Sequence, residues 1–117
     1  MSGPGSGDPY YDIEEDWELI AASFQSMYGI RLSRELSGMS WREFAAYVAG
    51  LGSDTPLGRI VAIRAEEDPA RLKEFTPEMR RIRSRWRARR AARLPRESVD
   101  RFLDSMKQAF IALAGER

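Results

Sequence analysis

Cysteine and histidine are both absent from this sequence. Their absence excludes disulfides, thiolate nucleophiles and imidazole bases, and with them nearly all zinc and haem ligation. Lack of cysteine also fits a reducing compartment. No apolar run approaches the ~18–20 residues of a membrane span. The N-terminus has no apolar core of the kind a signal peptide needs. Gly50-x-Gly52 is no phosphate loop, because no lysine-serine/threonine pair follows it. No internal repeat and no convincing strand pair is visible. The many carboxylates lack a histidine or cysteine partner, so neither enzymatic turnover nor a cofactor is expected.

Net charge is only +1, so bulk charge steers no partner. That small value hides two opposed blocks. Residues 1–30 carry Asp8, Asp12, Glu14, Glu15, Asp16 and Glu18 and no base. Residues 80–93 carry eight arginines and no acid. Hydrophobic residues make up 43% of the 117, enough for one core in one domain.

The stretch from Ser40 to Trp86 organises the rest. Thr55-Pro56, Asp68-Pro69 and Thr76-Pro77 each place a capping side chain directly before a proline. The capping oxygen satisfies free N–H groups, and proline has no N–H to waste at the first helical position. Ser40 and Glu43 add capping-box spacing. These four helix starts predict a compact helical unit.

Residues 1–8 read as a disordered leader, 9–94 as a helical domain and 95–117 as a C-terminal amphipathic helix. Asp8-Pro9 or Asp12 opens the first helix, with Asp12 and Glu15 at capping-box spacing. Ile13, Trp17, Ile20, Phe24 and Met27 or Tyr28 then form an apolar stripe, and Gly29 ends it. Ile30 to Gly38 reads as an extended connector. Trp41, Phe44, Val48 and Leu51 make the next stripe. Leu57, Ile60, Val61 and Ile63 mark a short apolar helix, expected to be the most buried. Asp68-Pro69 starts a single turn with Leu72 and Phe75. The expected core is Trp17, Phe24, Trp41, Phe44, Ile60, Val61 and Ile82.

In the arginine helix the apolar stripe is Met79, Ile82 and Trp86. Continued onward it lands on Arg89, Arg90 and Arg93, so the last turns are expected to project into water. Arg87, Arg89, Arg90 and Arg93 should then be largely exposed and contribute little to folding. After Leu94-Pro95 the last helix presents Val99, Phe102, Leu103, Met106, Phe110 and Leu113 on one face. Six large apolar side chains must cover the core, pair with a second copy as a homo-oligomer, or hold a partner. The fold class is all-α: a compact bundle of about five short helices with a charged, partly projecting arginine-rich helix.

Two polar features invite a site reading. Glu66, Glu67 and Asp68 point around a helix end rather than at one ion, so a solvated helix terminus is expected there. Arg64 sits in an apolar helix and is expected to snorkel to the surface or pair with an adjacent acid. The alternative is a buried bidentate pair with Asp54 or with an acid of the first helix.

The segments Ser23-Phe24-Gln25-Ser26-Met27-Tyr28-Gly29-Ile30-Arg31-Leu32, Met39-Ser40-Trp41-Arg42-Glu43-Phe44, Asp54-Thr55-Pro56-Leu57-Gly58 and Ile63-Arg64 carry a resemblance. They look like a family of small proteins of tailed phages and prophages, encoded just before the tape-measure protein. That family is described as tail assembly chaperone or its downstream extension. The likeness covers roughly residues 12–93 and includes no catalytic motif. Longer members have a preceding N-terminal domain, which this chain is expected to lack. The resemblance implies a non-enzymatic role in virion morphogenesis in the host cytoplasm. Its partner would be the tape-measure protein or other phage tail proteins, with no membrane involved. A basic nucleic-acid-binding module and a structural tail component retained in the virion are the other readings. The arginine helix offers Arg83, Arg87, Arg89, Arg90 and Arg93 as partner-binding residues, and the last helix offers Phe102, Met106 and Phe110.

Overall fold

The computed structural model describes residues 9–93 and 99–115, without the side chains of Arg93 and Val99. Expectations for the leader 1–8, for Leu94-Pro95 and for those two side chains lie outside it. The described residues contain helices and no strand, and the fold class is all-α as expected.

Among the described residues seven helices run in order: α1 (Trp17–Tyr28), α2 (Leu32–Glu35), α3 (Trp41–Ala49), α4 (Pro56–Ala65), α5 (Pro69–Leu72), α6 (Pro77–Arg93) and α7 (Val99–Gly115). A single 3₁₀ turn, Leu36–Gly38, follows α2. The capping chemistry read from sequence holds at every start in the central stretch. The Ser40 hydroxyl accepts from the Glu43 N–H and the Thr55 hydroxyl from the Gly58 N–H. Asp68 accepts from the Ala70 N–H, and Thr76 from the Met79 N–H. Gly29 ends α1 at φ 70°, with its N–H on Gln25 O and that of Ile30 on Phe24 O. A residue with a β-carbon would be strained in that left-handed conformation.

Phe44 of α3 is the packing centre. It is fully buried, and its ring lies 5.4 Å from Phe24, 5.9 Å from Trp41, 6.2 Å from Trp17 and 4.8 Å from Phe110. Such ring pairs add to plain burial through their edge and face electrostatics. Of the expected core, Phe24 and Phe44 are fully buried, while Trp17, Trp41, Ile60, Val61 and Ile82 are half-buried. On α1 the stripe ends in Tyr28, which donates to Tyr47 O at 2.7 Å, whereas Met27 is exposed.

Two readings are corrected. Ile30–Gly38 is not extended: Leu32 and Leu36, four residues apart, both turn into the core from α2 and the 3₁₀ turn. Their i, i+4 spacing outweighs the brief alternation that suggested an extended connector. Nor is α4 the most buried helix. Only its Leu57 is buried, because α4 packs between α1 and α6 and leaves a third side open.

The α1–α4 crossing depends on a serine. Ser23 is fully buried, donates to Leu19 O at 2.7 Å and accepts from the Leu57 N–H at 2.9 Å. Leu57 N–H is one of the donors that a helix start leaves unpaired. Beside it, a β-carbon on Gly58 would meet Gly52 O, so the backbones approach as only glycine allows.

Phe44→Ala is expected to destabilise by about 3–5 kcal/mol in urea unfolding. Ser23→Ala, which strands the Leu57 N–H, should cost about 1–3 kcal/mol. A change below measurement error at either position would contradict this packing.

Candidate functional site

The acidic stretch before α1 folds into a turn built on its own carboxylates. Asp12 accepts from the N–H groups of Glu14 and Glu15, and Asp16 accepts from the Asp12 N–H at 2.9 Å. Asp16, not Glu15, therefore returns the bond that capping-box spacing led one to expect. Chain entry to this turn is unusual. Tyr10 sits at φ 61°, a region that costs a non-glycine residue energy. Its carbonyl accepts from Arg64 Nη1 at 3.0 Å.

Arg64 does not snorkel. Its guanidinium grips Asp16 with two bonds, Nη1–Oδ2 at 2.8 Å and Nη2–Oδ1 at 3.1 Å. Side-chain exposure is 13% for Arg64 and 6% for Asp16. The buried bidentate pair with an acid of the first helical segment is thus the arrangement present. An arginine in an apolar helix needs its charge matched, and a planar fork meets a carboxylate in this way.

The same guanidinium lies 4.5 Å from the centre of the Trp86 ring, and that of Arg89 lies 5.5 Å away. Trp86 is buried as expected, and these two cations hold its ring by cation–π attraction. Arg89 then reaches past it to Glu15 at 2.8 Å and Asp12 at 3.4 Å.

The projecting reading of α6 is corrected at this point. Arg87 and Arg89 are only 35% and 28% exposed, and Arg90 is half-buried, 5.5 Å from the Phe102 ring. Acids opposite the helix were the missing condition, and the turn at Asp12–Asp16 supplies them. Another group of arginines serves the end of α4. Arg83 Nε donates to Glu66 O at 2.9 Å, and Arg87 Nη2 to Arg64 O at 3.3 Å and Glu67 at 3.5 Å. Cations at a helix C-terminus satisfy its free carbonyls and suit its dipole. Arg80 similarly donates to Phe75 O and Lys73 O.

Phe102, Met106 and Phe110 are buried against α3 and the 3₁₀ turn. Of the three roles open to that face, covering the core is the one found, so these side chains are not presented to a partner. Arg101, Asp104, Ser105, Lys107 and Gln108 are exposed. The acids at the end of α4 part ways: Glu66 pairs with Arg71, Glu67 with Arg87, and Asp68 caps α5. No group of three potential metal ligands occurs among the described residues.

Two of the openings on the surface adjoin α4. One, of about 400 Å³, lies between α3 and α4 and is closed by the entering chain. Ala45, Val48, Leu51, Leu57, Val61 and Tyr11 line it, so its chemistry is apolar. The other, of about 210 Å³, lies between α1 and α6 over α4, lined by Leu19, Ile60, Ile82, Glu15, Arg85 and Arg89 among others. Sequence reasoning singled out neither Arg85 nor Ser23. For Arg85 the signal was available: it stands one position before Trp86, about 100° around the helix from the buried face.

The family described as bacteriophage Gp15 protein matches residues 3–87. Neither a curated protein nor a solved structure matches. No helix among the described residues is long and apolar enough to cross a membrane.

Asp16→Asn is expected to destabilise by about 3 kcal/mol, because it leaves the Arg64 charge buried without its counterion. A cycle with Arg64→Met should show strong coupling between the two positions. Additive single effects would refute the clasp. Burial pushes the Tyr11 phenol up to about 12. The folded state then holds this proton more tightly than the unfolded one. Its contribution is full below pH 10 and falls by at most about 1.4 kcal/mol per pH unit as pH rises toward 12. Thermal unfolding between pH 8 and 12 should show this alkaline loss, and Tyr11→Phe should reduce it. An identical pH profile for the variant would show that Tyr11 is not responsible.

Proposed function

The chain belongs to the bacteriophage Gp15 protein family, a phage structural or morphogenesis protein, and we propose that it works in tail assembly, as a chaperone of the tape-measure protein. In this reading it binds its client in the cytoplasm of the bacterial host and catalyses nothing. A tape-measure protein is a long apolar helix that aggregates unless its surface is shielded until the tail tube covers it. Shielding needs a small soluble protein that offers apolar surface within a charged exterior.

The observation that carries the reading is the apolar opening between α3 and α4. It is built by the elements that carry the family likeness. The helix started by Ser40 supplies Ala45 and Val48, and the Thr55-Pro56-Leu57-Gly58 start supplies Leu57 and Gly58. Tyr28 holds the end of the first of these helices through Tyr47 O. Ala45, Ala49 and Gly58 in its lining are small, which leaves room for a large apolar side chain of a client helix. Nucleic acid is a poorer fit. Arg87 and Arg89 already pair with carboxylates, and those acids would repel a phosphate backbone.

Co-expression with the neighbouring tail genes, followed by affinity capture, tests the reading. The tape-measure protein should copurify, and Val48→Asp on the groove wall should abolish the capture while the protein stays folded. Binding should weaken little with salt. A fall of about 0.9 log units per log unit of salt for each phosphate neutralised, on random duplex DNA, would instead support nucleic-acid binding. Recovery of the protein in purified particles would make it a structural tail component.

A further inference from the structure

The arginines of α6 divide sharply by what they touch. Arg80, Arg83, Arg87 and Arg89 each bond to a carbonyl or carboxylate, and Arg90 lies against Phe102. Arg81 and Arg85 make no hydrogen bond or ion pair with any described residue. Both are exposed. Four residues apart, they stand on one face of the helix, with Ala88 and Ala92 continuing that face outward. Arg85 also lines the opening over α4, together with half-buried Leu19, Ile60 and Ile82.

We propose that this face of α6, with the adjoining opening, is a docking surface for an acidic amphipathic helix of a protein partner. The partner lays apolar side chains over Leu19, Ile60 and Ile82 and sets carboxylates against Arg81 and Arg85. Charge complementarity selects the occupant. Arg87 and Arg89 have carboxylates as counter-charges within the fold, and Arg80 and Arg83 bond to carbonyls, whereas Arg81 and Arg85 have neither. Of the arginines lining this opening, Arg64 is paired with Asp16 and Arg89 with Glu15, so Arg85 is the one without a counter-charge among the described residues. Small side chains at Ala88 and Ala92 permit a second helix to approach closely along the same face. The proposal rests on the reading that the protein holds a helical client, and gives that client a second, charged contact.

The test uses the full chain and two synthetic helical peptides with one apolar stripe, flanked by glutamates in one and by lysines in the other. Fluorescence anisotropy at low salt reads the affinity. The glutamate peptide should bind about tenfold tighter than its lysine twin, the size expected of two exposed ion pairs acting together. Arg81→Glu/Arg85→Glu should reverse that order, with the circular dichroism spectrum and melting temperature unchanged. Equal affinities, or an order that the double variant leaves intact, would overturn the proposal. So would tighter binding of the lysine peptide. Capture of the tape-measure protein is measured alongside. If it fails for the wild type, the chaperone reading falls, and the peptide result alone decides the docking face. If capture succeeds equally for the double variant, the chaperone reading stands and this surface is not the site.

Discussion

Asp16 accepts two hydrogen bonds from Arg64 where water scarcely reaches, and the positions of three segments follow from that pair. Asp16 belongs to the acidic turn, Arg64 to α4, and the guanidinium lies against Trp86 of α6. A charge so placed cannot be left alone, since burying it unpaired would cost several kcal/mol. The Tyr10 carbonyl adds a third acceptor, and the backbone there adopts a strained conformation to deliver it. Strain of this kind persists only where surrounding contacts fix it. The clasp therefore orients the entering chain, the acidic turn and the arginine helix together.

Opposite charges that nearly cancel in composition also meet in space. Arg89 bonds to Asp12 and Glu15, and Arg87 to Glu67. Each of these partly exposed pairs is worth little alone. Their value lies in place: they hold the half of α6 beyond Trp86, where no apolar side chain remains to dock it. Arg83 and Arg87 meanwhile satisfy the carbonyl end of α4. A helix with a mostly charged sequence can pack into a domain in this way, with the apolar face ending at Trp86 and directed hydrogen bonds continuing from there.

Local chemistry was legible in the sequence, and pairing across the chain was not. Ser40, Thr55, Asp68 and Thr76 act within four residues of themselves, so their capping roles could be read directly. The α7 stripe announced its buried face through Phe102, Met106 and Phe110. Arg64 was recognisable as anomalous, but its partner lies 48 residues away and several acids competed for the role. Ser23 reads as an ordinary polar position on a helix until Leu57 arrives against it. The arginines past Trp86 misled because a helical stripe shows only what one helix offers. The acids that receive Arg89 sit 74 and 77 residues earlier. Engagement of the other arginines is also what leaves Arg81 and Arg85 conspicuous, so the docking face could be seen only once the pairs were known.

What the fold offers a partner is then two surfaces of unlike chemistry: an apolar opening between α3 and α4, and a basic edge on α6. The second depends on α6 being held against the acidic turn. Native-state hydrogen exchange of the α6 amides beyond Trp86 tests that dependence most directly. If the clasp holds this half of the helix, Arg87 to Ala92 exchange far more slowly than a frayed helix end, and Arg64→Gln removes their protection while α1 keeps its own. Exchange of those amides at nearly unstructured rates in the wild type, with α1 protected, would contradict the account.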